Sequence, residues 1–445
     1  MRQAYLDCPR HIFVDRYQIT RGGAVLNCAD GASAAEAAQH MQLIYSNTGL
    51  GHVDSEGRAL ASVNSPPSHA LHMLELLALA PGQRVLEIGS GCGWLLAMAA
   101  RVVGPRGSAV GVEILPSLAA QSRASLARNG IANAIVALAD GADGYPQMAP
   151  FDRVIFTAGL WDLPPVFFDQ VAEGGLLVAP FQIKGGCNDL LVLRKMAGRR
   201  FRSQTALPAM FVDVSGAIAG LPHDAAPLSA LPIWRMLRQR EVLCMPMSFG
   251  MGGLGGLDEN LFGWRTAAFR SFLQKLDPRM HTFTADIDAG DPAARVLRAS
   301  GIGADTIGIG LVDAASGSLA VCMGGQLRGY GTPAAALDFL TAYRLWAAAM
   351  MPGVEAFEVE IVDAADAPLP RAGAWVELRG ATAMIWTLRQ DRPAVDETIA
   401  LLRGSRSVRQ DALAESRECA DSLFQASQDA GSARHPVQSQ FPRPR

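Results

Sequence analysis

Val85-Leu86-Glu87-Ile88-Gly89-Ser90-Gly91-Cys92-Gly93 decides the reading of this chain. An apolar run ends in an acid, and glycines then alternate at 89, 91 and 93, which is the pattern of a buried strand turning sharply into a helix. Glycine reaches positive φ and lets backbone approach a ligand where a Cβ would clash. The same grammar recurs downstream. Val110-Gly111-Val112-Glu113 is a second apolar run ending in an acid, at the spacing of about twenty residues that a ribose-binding carboxylate needs. Ala137-Leu138-Ala139-Asp140-Gly141 ends a third run, and Phe151-Asp152-Arg153-Val154-Ile155-Phe156 opens a fourth. Successive βα units with acids at their strand ends place a ligand at the C-terminal edge of a parallel sheet. Any one of these acids could be an ordinary solvated residue; their ordered recurrence argues for a nucleoside site.

Two common nucleotide sites are disfavoured. A dinucleotide fingerprint would carry its third glycine at position 94, where Trp94 stands. A phosphate-cradling loop needs a Lys-Ser or Lys-Thr pair after the glycines, and none follows. The pattern Glu87-x-Gly89-x-Gly91-x-Gly93 instead resembles the S-adenosylmethionine (SAM) loop of Rossmann-like methyltransferases. That resemblance implies an α/β fold, a class I SAM-dependent methyltransferase with a second α+β domain. It also implies cofactor contacts from Glu87, Gly89, Ser90, Gly91 and Gly93, ribose contacts from Glu113, and adenine contacts from Asp140 and Gly141.

The 445 residues exceed one ordinary core, so two domains and a tail are expected. The composition is 49% hydrophobic and 18% charged, that of a well-buried globular protein. A net charge of −3 leaves no electrostatic footprint for nucleic acid or an anionic membrane. No apolar run approaches transmembrane length, and Met1 to Arg10 lacks the apolar core of a signal peptide, so a cytoplasmic protein is expected. Seven scattered cysteines form no Cys-x-x-Cys pair and read as reduced structural thiols, Cys92 as a small apolar filler. No metal is expected, because only His69 and His72 approach ligand spacing, and that pair reads as helix surface.

Residues 1 to about 60 read as helices with loops, Ala34 to Ile44 among them, and Pro67 to Ala80 as a helix stopped by Pro81-Gly82. Glu173-Gly174-Gly175 reads as a helix-ending turn into a strand, and Leu190 to Arg194 and Met210 to Val214 as further strands. The expected division is a catalytic domain over 1–215, a linker over 216–232, an α+β accessory domain over 233–403, and a polar, largely disordered tail over 404–445. In the accessory region Trp264 to Leu276, Pro292 to Ala299 and Pro333 to Met350 read as helices. His281 to Ile287, Phe357 to Val362 and Ala383 to Leu388 read as strands, and Asp313-Ala314-Ala315-Ser316-Gly317 as a hairpin turn. The glycine-rich piece Gly250 to Gly256 reads as a flexible loop, having neither a lysine nor a strand-loop-helix context.

Beyond the SAM loop, the first half resembles the protein-L-isoaspartate O-methyltransferase family. Cys8-Pro9-Arg10-His11-Ile12-Phe13-Val14 is similar to that family's Pro-Arg-x-x-Phe-Val stretch, and Ser62-Val63-Asn64-Ser65-Pro66-Pro67 occupies the place of its Thr-Ile-Ser-x-Pro loop. Asp140-Gly141, Phe151-Asp152, Glu173-Gly174-Gly175 and Met210-Phe211-Val212 follow in the family's order. The resemblance makes Ser65 the active-site serine that contacts the substrate carboxyl, and places Val63, Asn64, Ser65, Pro67, Phe211 and Val212 around the substrate. Val63-Asn64 departs from the usual Thr-Ile, which alters the pocket rim. The chain also continues well past the family's usual end. In that it resembles long relatives encoded beside ribosomally made modified peptides, which methylate an aspartate to give an aspartimide or isoaspartate.

Methyl transfer to a carboxylate requires no general base, because a carboxylate of pKa about 4 is already ionised near neutrality. This agrees with the lack of any convincing His-acid pair or nucleophile triad. Rate then comes from alignment and from excluding water. A serine hydroxyl can hold one carboxylate oxygen without the strong pairing that Lys or Arg would impose. Ser65 could equally cap the helix that begins after it. The expected activity is carboxyl O-methylation of isoaspartyl or aspartyl residues in a protein or peptide, serving either general repair or dedicated peptide tailoring. A non-catalytic SAM-binding partner protein is the alternative of another class; the joint occurrence of Glu87, Glu113, Asp140 and Ser65 weighs against it.

Overall fold

The apolar runs become strands of one ten-stranded sheet in the computed structural model. It describes residues 1–14, 16–19, 23–27, 33–185, 187–220, 225–247, 264–287, 290–304, 306–369 and 374–389. In chain order the strands are β1 (Arg84–Ile88), β2 (Ser108–Glu113), β3 (Ala134–Leu138), β4 (Phe151–Phe156), β5 (Val171–Ile183), β6 (Cys187–Met196) and β7 (Arg200–Ala209). Much later come β8 (Phe357–Asp363), β9 (Ala374–Leu378) and β10 (Thr382–Leu388). Their order across the sheet is β9-β10-β8-β7-β6-β5-β4-β1-β2-β3. Pairing is parallel from β3 to β5 and antiparallel from β5 onward. Val85, Leu86 and Ile88 of β1 are all buried, as a central parallel strand covered on both faces demands. Helices Pro67–Leu77, Trp94–Val103 and Pro116–Arg128 cover the face that carries Val85; the first and last begin with proline, which suits the first helical position.

The expected 1–60 region of helices and loops needs correction. Besides helices Arg2–Asp7 and Ala34–Ile44 it contributes a four-stranded sheet, in the order Leu26–Asn27, Arg16–Gln18, Leu50–Val53, Ala59–Asn64. Its strands are two to six residues long, too short for a clear alternation, and the pairing of Arg16–Gln18 with Leu50–Val53 joins segments distant in sequence, so local periodicity does not reveal them. Met210 to Val214 is not a strand: β7 ends at Ala209, and the following segment makes one isolated bridge, Asp213 to Gly159. The Glu173-Gly174-Gly175 turn lies inside β5, where the register with β4 jumps from Phe151↔Val171 to Arg153↔Leu176, with Gly174 at φ +75°.

The single accessory domain over 233–403 is also corrected. Among the described residues, 1–220 and 352–389 form one compact unit and 225–351 a second. β8 joins the edge of β7 through Arg200↔Val362, Phe201↔Ile361 and Arg202↔Glu360, and Arg202 pairs with Glu360 at 2.6 Å across that seam. A strand's partner is a non-local property, so β8 to β10 read in sequence like the strands of the neighbouring unit. The expected linker divides too. Ala217 is tied to the first unit by Asp140, while Ala226–Pro227 is a strand of the second, with Leu228 fully buried beside it.

The second unit is a six-stranded sheet in the order Ala226–Pro227, Met280–Thr284, Ile307–Asp313, Ser318–Met323, Gln326–Gly331, Glu241–Pro246. Trp234, Phe283, Leu319 and Tyr330 pack its core. Arg279 binds Asp277, Asp313 and Asp338 at 2.7 to 2.9 Å, joining a turn, a strand and a helix. The Gly250 to Gly256 piece and the 404–445 tail lie outside the described residues. Among those described, no helix is long and apolar enough to cross a membrane.

Candidate active site

Between β1 and helix Trp94–Val103 the chain turns on Gly89, Gly91 and Gly93 at φ +88°, +54° and +84°. A Cβ at 89 would stand 2.8 Å from Thr157 Oγ1, and one at 93 would run into Ser122 Oγ. Glu113, ending β2, spans the turn: Oε2 accepts from the Gly91 N–H at 2.7 Å and Oε1 from the Leu115 N–H at 2.9 Å. Glu87 is 2% exposed, and its Oε2 has no protein partner. Burial, and secondarily the Glu113 charge, push the Glu87 carboxyl well above the usual range. Ser90 Oγ is likewise buried and unpartnered. Orphaned polar atoms inside a glycine-built cradle are costly unless a ligand satisfies them, and a hydroxyl-bearing nucleoside does so. The residues present therefore fit the nucleoside cofactor.

The cleft over this turn is lined by His52, Ser62 to Ser65, Glu87 to Cys92, Glu113, Gly141, Thr157, Ala158 and Val212 to Ser215. Of the residues expected from sequence, Val63, Asn64, Ser65, Glu87, Gly89, Ser90, Gly91, Glu113, Gly141 and Val212 come together there. Gly93, Asp140, Pro67 and Phe211 do not line it. Asp140 spends both oxygens on backbone, accepting from Ala142 N–H at 2.9 Å and Ala217 N–H at 2.7 Å; its turn presents Gly141 instead. Phe211 packs against His69, ring centres 5.0 Å apart. That contact corrects the surface reading of His69, whose Nε2 is buried.

Asn64 is committed to structure: Oδ1 accepts from Arg10 Nε at 2.6 Å, and Nδ2 donates to Cys92 Sγ at 3.1 Å. Ser65 does not cap the next helix, because Pro66 is the cap residue and makes no side-chain cap bond. What fixes the loop is Arg10, fully buried. Beyond Asn64 Oδ1, it donates to the carbonyls of Ile44 at 2.5 Å, Ser46 at 3.4 Å, Thr48 at 3.1 Å, Asn64 at 3.1 Å and Ser65 at 2.9 Å. Its guanidinium stands 5.3 Å from the Trp94 ring, and Trp94 Nε1 donates to the Cys8 carbonyl at 2.8 Å. Trp94 thus anchors the N-terminal segment where a dinucleotide loop would have glycine.

Sequence reasoning missed Arg10, His52, Thr157 and Asp213. Arg10 had a signal, its place in the Pro-Arg-x-x-Phe-Val stretch. His52 had none; Nδ1 lies 2.9 Å from Ser62 Oγ, and burial holds its pKa down to about 4. No group of three or more His, Cys, Asp or Glu side chains able to hold a metal occurs among the described residues.

Comparison with known proteins agrees with this geometry. The family model for protein-L-isoaspartate(D-aspartate) O-methyltransferase matches residues 40–219. Protein-L-isoaspartate O-methyltransferase 1 of Archaeoglobus fulgidus is 43% identical over 116 residues, covering 26% of this chain and 54% of that relative. The enzymes of Methanothrix thermoacetophila and Anaeromyxobacter dehalogenans (strain 2CP-C) are 36% and 40% identical over 152 residues, covering 34% of this chain and 70% and 71% of theirs. With SAM-loop glycines, strand-end acids and a serine loop in one cleft, the chain belongs to the SAM-dependent protein-L-isoaspartate O-methyltransferase family.

Proposed function

We propose that the protein methylates the free carboxylate of isoaspartyl or aspartyl residues, the α-carboxylate in the first and the β-carboxylate in the second, in a protein or peptide. The observation that carries this reading is Ser65, whose carbonyl is clamped by buried Arg10 at the lip of a cleft floored by the glycine turn. Glu113, Glu87 and the backbone of residues 89 to 91 would hold S-adenosylmethionine, with Gly141 beside it. Bound there, the cofactor supplies an electrophilic methyl group for a carboxylate oxygen. Ser65 donates one hydrogen bond to that carboxylate, fixing its direction while leaving it nucleophilic. Val63, 44% exposed, forms the outer rim, while the buried walls exclude water. No side chain has to remove a proton, in keeping with a cleft histidine, His52, that is buried and held neutral.

The product would be a methyl ester. The backbone nitrogen of the next residue attacks the ester carbonyl, expels methanol and closes a succinimide, which water reopens to aspartate or isoaspartate. From isoaspartate this amounts to repair; from aspartate it installs a modification. One observation favours a dedicated peptide substrate as a second reading. The second unit interrupts the chain between β7 and β8, and the family match ends before it.

Mass spectrometry on the full chain with SAM and a matched isoaspartyl and aspartyl peptide pair tests both readings. One added methylene on the isoaspartyl peptide alone supports repair. Gain on neither peptide, with SAM still bound, supports a dedicated partner. Failure to bind SAM overturns the proposal.

A further inference from the structure

The turn between β9 and β10 carries Arg379, and its contacts converge on the segment leaving β4. The Arg379 side chain is 1% exposed, with its guanidinium carbon 4.3 Å from the centre of the Trp161 ring. Nη1 donates to the carbonyls of Trp161 at 3.0 Å and Gln182 at 2.9 Å, and Nη2 to Glu377 Oε2 at 2.9 Å. The grip is returned. Trp161 Nε1 donates to the Arg379 carbonyl at 3.1 Å, and Asp162 accepts the Ala381 N–H at 2.6 Å and the Thr382 hydroxyl at 2.5 Å.

What is gripped leads into the cleft. Gln182 Nε2 donates to Asp213 Oδ1 at 2.9 Å. Gly159 N–H donates to the Val212 carbonyl at 2.7 Å, and Val214 N–H to the Gly159 carbonyl at 2.9 Å. Thr157, Ala158, Val212 and Asp213 are cleft wall. Glu113 is held instead by the Gly91 and Leu115 N–H groups on the β1 and β2 side, and the glycine turn meets this wall at Thr157, whose hydroxyl donates to the Gly89 carbonyl at 2.6 Å.

We propose that Arg379 is a positioning residue for the acceptor side of the active site, acting through Gln182 and the 158–162 segment on Asp213 and its neighbours. This rests on the methyl-transfer reading of the cleft. Arginine is the residue type that such a grip needs, since only a guanidinium serves two carbonyls and a carboxylate while stacking on an indole, which an ammonium cannot reproduce. The chain thus returns from the second unit to complete its own active-site wall.

The full-chain variants R379A and R379K test this by three readouts. Affinity for S-adenosylhomocysteine, measured by calorimetry, should change little. Hydrogen exchange should quicken over 157–163 and 210–216 and stay unchanged over 84–113. On an isoaspartyl peptide, kcat/KM should fall about tenfold or more, as small misplacements of an acceptor do, with R379K recovering part of the loss. Should R379A fail to fold, R379K and D162N carry the same three expectations. Unchanged exchange over 157–163 and 210–216, or weakened S-adenosylhomocysteine binding in parallel with activity, would overturn the proposal. If the wild-type chain methylates neither peptide of the pair, the exchange pattern still decides for or against Arg379, while the functional reading is judged by SAM binding alone.

Discussion

The cofactor wall of the cleft takes its shape from torsions that three glycines permit, whereas the serine wall takes its shape from one arginine 54 residues distant in sequence. On the first wall every contact is local to a strand end: Glu113 reaches Gly91, and Glu87 lies beneath the turn. On the second, Arg10 gathers carbonyls from residues 44, 46, 48, 64 and 65 and holds Asn64 by its side chain as well. The difference teaches that a site can be half grammar and half long-range clamp, and that the halves should fail differently.

The largest effect is expected on the grammatical side. Gly93→Ala forces an L residue into φ +84°, at about 1 to 2 kcal/mol, and drives its Cβ into Ser122 Oγ, where overpacking adds about 1 to 3 kcal/mol. A turn that relaxes in the free protein must take up this strain of about 2 to 5 kcal/mol again on binding, so calorimetry should find S-adenosylmethionine affinity lowered by about thirtyfold or more. Near-native affinity would show that the turn tolerates a side chain and that the loop reading is too strict.

Arg10→Ala should break the other wall. It strips partners from buried carbonyls and from Asn64, a loss of about 3 kcal/mol or more in urea unfolding. Arg10→Lys, keeping charge but not the fork, should lose less. The sharper readout is the split between ligands. Peptide methylation should fall far more than cofactor affinity, because the glycine turn keeps its own geometry. Equal losses would mean that the Trp94 stack transmits the damage and that the walls are one unit.

This contrast also explains what the sequence could say. Glu87, the glycines and Glu113 were legible because a strand, a turn and an acid follow one another within a few residues. The serine loop was legible only through resemblance. Nothing in the sequence around His52 tells that it lies 2.9 Å from Ser62, since the hairpin Leu50–Val53 to Ala59–Asn64 carries no strong alternation. The assignment of 357–388 to the neighbouring unit failed for the same physical reason. Strand character is local, but the choice of edge is not.

The effect that is smallest per unit change in conditions separates the walls by the sign of their pH dependence. His52, on the serine wall, is held down to about 4 from an ordinary 6.5 by burial and by Arg10. The folded state then binds fewer protons than the unfolded chain between those values, so stability falls as pH drops from 6.5 towards 4, by about 1.4 kcal/mol per unit. Glu87, on the cofactor wall, is raised above 4.5 by burial and by Glu113. Its contribution is therefore fullest below 4.5 and is lost as pH rises through its folded value. Unfolding midpoints of the ligand-free protein at several pH values should show His52→Gln flattening the acid limb and Glu87→Gln flattening the decline on the other side. Saturating S-adenosylmethionine should shrink the Glu87 contribution and leave the His52 contribution in place, since the cofactor satisfies one wall and not the other. Equal suppression of both slopes would mean that cofactor binding closes the serine loop as well, and that the clamp made by Arg10 is completed only in the loaded enzyme.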